Sequence, residues 1–142
     1  MRQATWGMSA AIALLLPGAA AAAAQDASPA EPRAVLVFFD WGKPEIGSDA
    51  AGTLDAVAAD ARAAPARRLR VAGHSDRSGS AAGNRRSASK RAAAVADYLA
   101  GRGVPRSTIT IASFGEEQPL IPTADGVREP QNRRVEIGFL PQ

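Results

Sequence analysis

Between Val71 and Ala92 the chain reads VAGHSDRSGSAAGNRRSASKRA, which sets one acid, Asp76, and one base, Arg91, about a Gly/Ser-rich turn. A fixed carboxylate and a fixed planar guanidinium can grip an ammonium and a carboxylate at once, so the pair suits a zwitterionic ligand. Each such charge-assisted hydrogen bond contributes roughly 1.5 to 3 kcal/mol. The same spacing equally allows Asp76 and Arg91 to pair with each other, or Asp76 to accept amides of its own turn.

Other constellations carry less. His74, Ser75 and Asp76 supply the residue types of a hydrolase triad, but neighbours in a strand point to opposite faces and cannot form the relay. His74 reads as a structural residue at a strand end. Ser87-Ala88-Ser89-Lys90 fits the S-x-x-K pattern of penicillin-binding enzymes, yet no Lys-Thr-Gly or Ser-Asp-Asn follows it. Glu116 and Glu117 are paired only in sequence and read as a solvated loop. The absence of cysteine excludes a thiolate metal site, a disulfide framework, a cysteine nucleophile and a lipid-acylated cysteine, and the single histidine has no sequence partner for a metal site. A protein without catalytic residues, metal or cofactor is expected. Arginines crowd the chain from Arg67 to Arg91, but the net charge is only +3 and Tyr98 is the sole aromatic nearby. That pattern argues against nucleic acid as a partner and for general attraction to carboxylate-rich polymers.

The elements that must position Asp76 and Arg91 follow from periodicity. Ala34 to Phe39 is rich in Val and Phe and reads as a buried strand. Leu54, Val57, Ala58 and Ala61 fall at helical spacing between Ser48, a predicted N-cap, and Pro65, a stop. Arg68 to Gly73 alternates as a second strand, with Leu69 and Val71 inward. Arg85 to Ala100 carries Ala88, Ala92, Val95 and Leu99 on one helical stripe, closed by Gly101 and Gly103. Thr108 to Ser113 and Arg134 to Phe139 alternate as two further strands. The order βαβαββ predicts a two-layer α/β sandwich, a mixed four-stranded sheet with both helices on one face. Asp76 and Arg91 then sit at the carboxyl end of the second strand, where open α/β sheets bind ligands. Arg91 lies about 60° from Ala88 around the helix, so its stem is expected to pack while its guanidinium reaches solvent. The connection from Phe114 to Gln131 is long and proline-rich, and periodicity does not assign it.

The chain's 142 residues, 46% hydrophobic and 22% charged, suffice for one domain with a real core. Residues 1–24 have the pattern of a secretory signal: Arg2, an apolar run from Met8 to Leu16, a break at Pro17-Gly18, and small residues up to Ala24. A membrane span would need about 20 predominantly apolar residues without such an interruption. Residues 25–33, with Pro29 and Pro32, read as a short linker, and 34–142 as the domain. The mature chain is therefore expected to be secreted across the inner membrane and to carry no membrane span.

Several separated motifs together resemble one family. VFFDWGKPEI at 37–46, GHSDRSG, Asn84, Lys90-Arg91-Ala92, GEEQP at 115–119 and NRRVEI at 132–137 are similar to the OmpA-like C-terminal domain. This peptidoglycan-binding family includes the Pal and MotB periplasmic domains. The resemblance covers about 34–140 and implies the same βαβαββ fold, no enzymatic activity, and binding to the diaminopimelate of the peptidoglycan peptide stem. It places Asp76 and Arg91 as the ligand-binding acid and base, with Asn84, Ser75 and Arg133 around them. A cell-wall location, at most peripheral to the outer membrane of a Gram-negative cell, is implied with it. The sequence departs from the family pattern at Gly83, Ser87 and Ala88. Losing the leucine usual there removes apolar burial of roughly 1.5 to 3 kcal/mol, so a looser first turn of the second helix is expected. Weakened peptidoglycan binding, with another envelope protein as main contact, is the alternative that this departure suggests.

Overall fold

The computed structural model describes residues 34–141. The predicted signal at 1–24 and linker at 25–33 lie outside the described residues. Within them the elements are β1 (Val35–Phe38), α1 (Ser48–Ala63), β2 (Leu69–His74), α2 (Ala81–Gly101), β3 (Ile109–Gly115) and β4 (Arg134–Phe139). Short 3-10 turns at Arg106–Thr108 and Pro130–Asn132 precede the last two strands. The predicted order is observed.

The sheet runs β1-β4-β2-β3. β4 pairs antiparallel with both β1 and β2, so the last strand inserts between the first two, while β2 and β3 are parallel neighbours joined through α2. Alternation gives the sheet one apolar face, on which Val37, Leu69, Val71, Val135 and Ile137 are buried. Leu54, Val57, Ala58 and Ala61 of α1 and Ala92, Val95 and Leu99 of α2 close the same core. This is the two-layer sandwich that the periodicity predicts.

α2 packs unusually close to β2. A Cβ placed on Gly73 would lie 2.1 Å from the Ala88 carbonyl oxygen and 3.1 Å from the Ala92 Cβ. Only glycine at 73 and small residues at 88 and 92 permit that approach, which brings Arg91, on the next turn, over the end of β2.

Three local expectations need correction. Ser48 is the first helical residue of α1, not its N-cap; Gly47 holds the cap position without a side-chain bond. β3 begins at Ile109 and runs on to Gly115, with a register shift against β2 at Gly73/His74. α2 begins at Ala81, well before Arg85, because the Ser80 hydroxyl accepts the Gly83 N–H at 3.1 Å and caps it. Gly83 and Asn84 are thus helical, and Ser87 and Ala88 fall beyond the first turn. That turn is held against the end of β3 by the Asn84–Glu116 hydrogen bond, the Arg85–Glu117 ion pair and the Ser113 hydroxyl on the Arg85 carbonyl at 3.1 Å.

Candidate functional site

Asp76 follows β2 by two residues and is 3% exposed. Gly79, at φ 97°, lets the chain turn from Asp76 into α2 within a few residues. One carboxylate oxygen, Oδ1, accepts the Ser78 N–H at 3.1 Å and also the Ser78 hydroxyl. The other, Oδ2, accepts Nη1 of Arg133 at 3.0 Å. Burial alone would raise the Asp76 pKa, but the Ser78 and Arg133 hydrogen bonds outweigh it and hold the group below its usual value. A carboxylate has about four lone-pair positions, so three donors leave acceptor capacity for one more.

The alternative in which Asp76 simply pairs with Arg91 is therefore not what the chain adopts. Asp76 takes a turn amide, as expected of one alternative, and its ionic partner is Arg133, which enters from the start of β4 and is itself anchored by Nε on the Phe39 carbonyl at 3.1 Å.

Arg91 is buried, at 2% exposure, and its guanidinium does not reach solvent as helical spacing suggests. The segment after β1 folds over it: the Arg91 Cζ lies 5.9 Å from the Phe39 ring centre, and Nη2 meets the Asp40 carbonyl at 3.4 Å. Nη1 reaches the His74 carbonyl at the same long distance, and Nε has no partner. Burial, with the charge of Arg133 beside it, lowers the Arg91 pKa, while Asp76 opposes the shift. Arg91 is thus a desolvated cation with no carboxylate of its own and weakly engaged donors. Such a group gains strongly from an incoming anion.

Ser75 is buried beside Asp76, its hydroxyl turned back to the Asp76 carbonyl at 2.9 Å and its N–H bound to Gly115 at 2.8 Å. It shapes the backbone under Asp76. Asn84 is also buried, but its amide donates to Glu116, so it ties α2 to the segment after β3 rather than touching Asp76. Of the family-implied residues, Asp76, Arg91 and Arg133 form one charged cluster, with Ser75 beneath it.

Sequence reasoning missed three contributors. Ser78 supplies two of the donors to Asp76. Asp40 supplies a carbonyl to Arg91. Trp41, 51% exposed, donates its indole N–H to the Ser78 hydroxyl at 3.1 Å and carries the Arg128 guanidinium over its ring at 3.7 Å. A polar serine two residues after an acid, in a glycine turn, is the one signal that could have been read. The unassigned connection after β3 is docked on the site: Gly126 N–H bonds the Arg77 carbonyl at 2.8 Å, Arg77 pairs with Asp125, and Asn132 exchanges two 2.8 Å bonds with Ile121. A cleft of about 400 Å³ lies along this edge, lined by Phe38, Phe39, Asp40, Pro130, Gln131 and Arg133.

His74 faces away from this cluster. Its buried ring stacks on Phe114 at 5.4 Å, and Nε2 stands 3.7 Å from Glu136. Burial and Arg134, helped by Arg70 and opposed by Glu136, push its pKa down to about 4. No group of His, Asp and Glu suited to a metal occurs among the described residues.

Fold and site together define an α/β domain with a buried acid and two arginines at the open end of its sheet. The OmpA family model matches residues 38–133, and the chain belongs to the OmpA family. It is similar to an outer membrane protein of Gluconacetobacter diazotrophicus, 36% identical over 78% of this chain and 31% of that protein. The peptidoglycan-associated lipoprotein of Haemophilus influenzae is 35% identical over 72% of this chain and 67% of that protein. The crystal structure of the peptidoglycan-associated lipoprotein from Burkholderia pseudomallei superposes with a TM-score of 0.69 at 27% identity, over 74% of this chain and 89% of that one. The chain thus spans about a third of the first relative's length and two thirds of the second's.

Proposed function

We propose that this protein is a non-enzymatic module of the periplasm that binds peptidoglycan through the diaminopimelate of its peptide stem. Asp76 takes the ligand's ammonium and Arg91 its carboxylate, while Arg133 holds Asp76 ionised and in place. The observation that carries this reading is Arg91: a buried guanidinium without a carboxylate partner, next to an acid whose own charge is held by a different arginine. A zwitterionic group satisfies both at once. Membership of a family whose relatives include peptidoglycan-associated lipoproteins supports the choice of polymer. No helix among the described residues is long and apolar enough to cross a membrane.

Pull-down with purified sacculi tests this. The protein pellets with sacculi at moderate salt, Asp76→Ala and Arg91→Ala do not, and no muropeptide is released into the supernatant. Wild-type protein left in the supernatant would overturn the reading and favour another envelope protein as its main contact.

A further inference from the structure

Arg128, close to this edge, carries a charge that the fold neither pairs nor buries. It lies in the connection between β3 and β4, is exposed, and has no ion pair among the described residues, whereas its neighbour Arg77 is neutralised by Asp125. Its guanidinium is nevertheless not free to wander, since it lies 3.7 Å over the Trp41 ring. The Trp41 indole is in turn fixed by the Ser78 hydroxyl, the same hydroxyl that donates to Asp76. Two hydrogen bonds and one cation–π contact therefore join Arg128 to the acid of the site. A guanidinium held over an aromatic ring loses little freedom on binding and keeps donors available, which favours carboxylate capture.

Resting on the peptidoglycan reading above, we propose that Arg128, held on Trp41, is a second anion subsite that takes a further carboxylate of the same peptide stem. The site as a whole then selects ligands with more carboxylates than amines. That carboxylate belongs either to the residue preceding diaminopimelate or to the far end of diaminopimelate itself.

Calorimetric titration of the full chain separates these sources and tests the subsite. The probes are the tripeptide L-Ala-γ-D-Glu-meso-diaminopimelate, the same tripeptide amidated on the glutamate, and free meso-diaminopimelate. Arg128→Ala, a substitution on an exposed loop, is expected to weaken the tripeptide about fivefold to tenfold. Trp41→Leu, which leaves the arginine but removes its platform, should lose part of the same factor. If the wild type discriminates against the amide and Arg128→Ala does not, the glutamate supplies the carboxylate. If Arg128→Ala weakens free diaminopimelate equally, diaminopimelate supplies it. Arg128→Ala binding all three within twofold of wild type overturns the subsite. Failure of the underlying reading looks different: Asp76→Ala would then bind the tripeptide as well as wild type does.

Discussion

Asp76 and Arg133, 57 residues apart in the chain, meet at 3.0 Å, the acid just past β2 and the base just before β4. The two strands are antiparallel neighbours, so the ends that carry these residues lie side by side. Arg133 does for Asp76 what a ligand cannot do in advance: it keeps the carboxylate charged in a buried place and leaves Arg91 without a competing partner.

Removing Arg133 should strand that charge. Breaking a buried pair costs about 3 to 5 kcal/mol, and at 10% and 4% side-chain exposure this one is buried. Arg133→Ala is expected to lower stability at pH 7 by about 3 kcal/mol and to raise the Asp76 pKa. A double-mutant cycle with Asp76→Asn in urea checks it; additivity within about 0.5 kcal/mol would show that the two residues are not coupled.

Gly73→Ala should damage both packing and site. The added methyl would collide with the Ala88 carbonyl at 2.1 Å, a backbone atom that yields only if α2 lifts off the sheet. A loss of roughly 1 to 3 kcal/mol is expected, together with weaker sacculus binding because Arg91 moves with α2. Urea unfolding and pull-down of the same variant give both numbers. An unchanged midpoint would contradict the close approach of α2 to β2.

His74 is the only histidine in the chain, so its ring resonances are unambiguous by NMR. They should titrate near pH 4 rather than 6.5. Below pH 6.5 the unfolded chain takes up a proton that the folded chain refuses until about pH 4, so stability falls as pH drops through that window, by about 3 kcal/mol in total. Asp76, with its lowered pKa, adds a further loss at lower pH still. A midpoint at or above 6.5 would contradict the burial described for this ring.

Much of this was legible in the sequence because it rests on local periodicity. Alternation bounds β4 at Arg134 and Phe139, the order βαβαββ follows from alternating periods, and Asp76 and Arg91 stand out by type and spacing. What stayed hidden depends on the tertiary fold. Ala81 to Asn84 reads as a continuation of the glycine turn, and no acidic residue marks the first turn of α2, so local pattern does not reveal the Ser80 cap. Helical spacing alone gives Arg91 a solvated head, because it carries no information on the Phe39-Asp40 segment that closes over it. Trp41, Ser78 and Arg128 come from three separate connections and meet only once the sheet has formed.

Calorimetric titration of free meso-diaminopimelate into the wild-type chain and into Asp76→Asn and Arg91→Met, with folding of each verified by circular dichroism, tests the central claim most directly. The account predicts saturable binding to the wild type and a loss of at least about tenfold in each variant, one charged contact being worth roughly 1.5 to 3 kcal/mol. Folded variants that bind diaminopimelate as tightly as the wild type would contradict it.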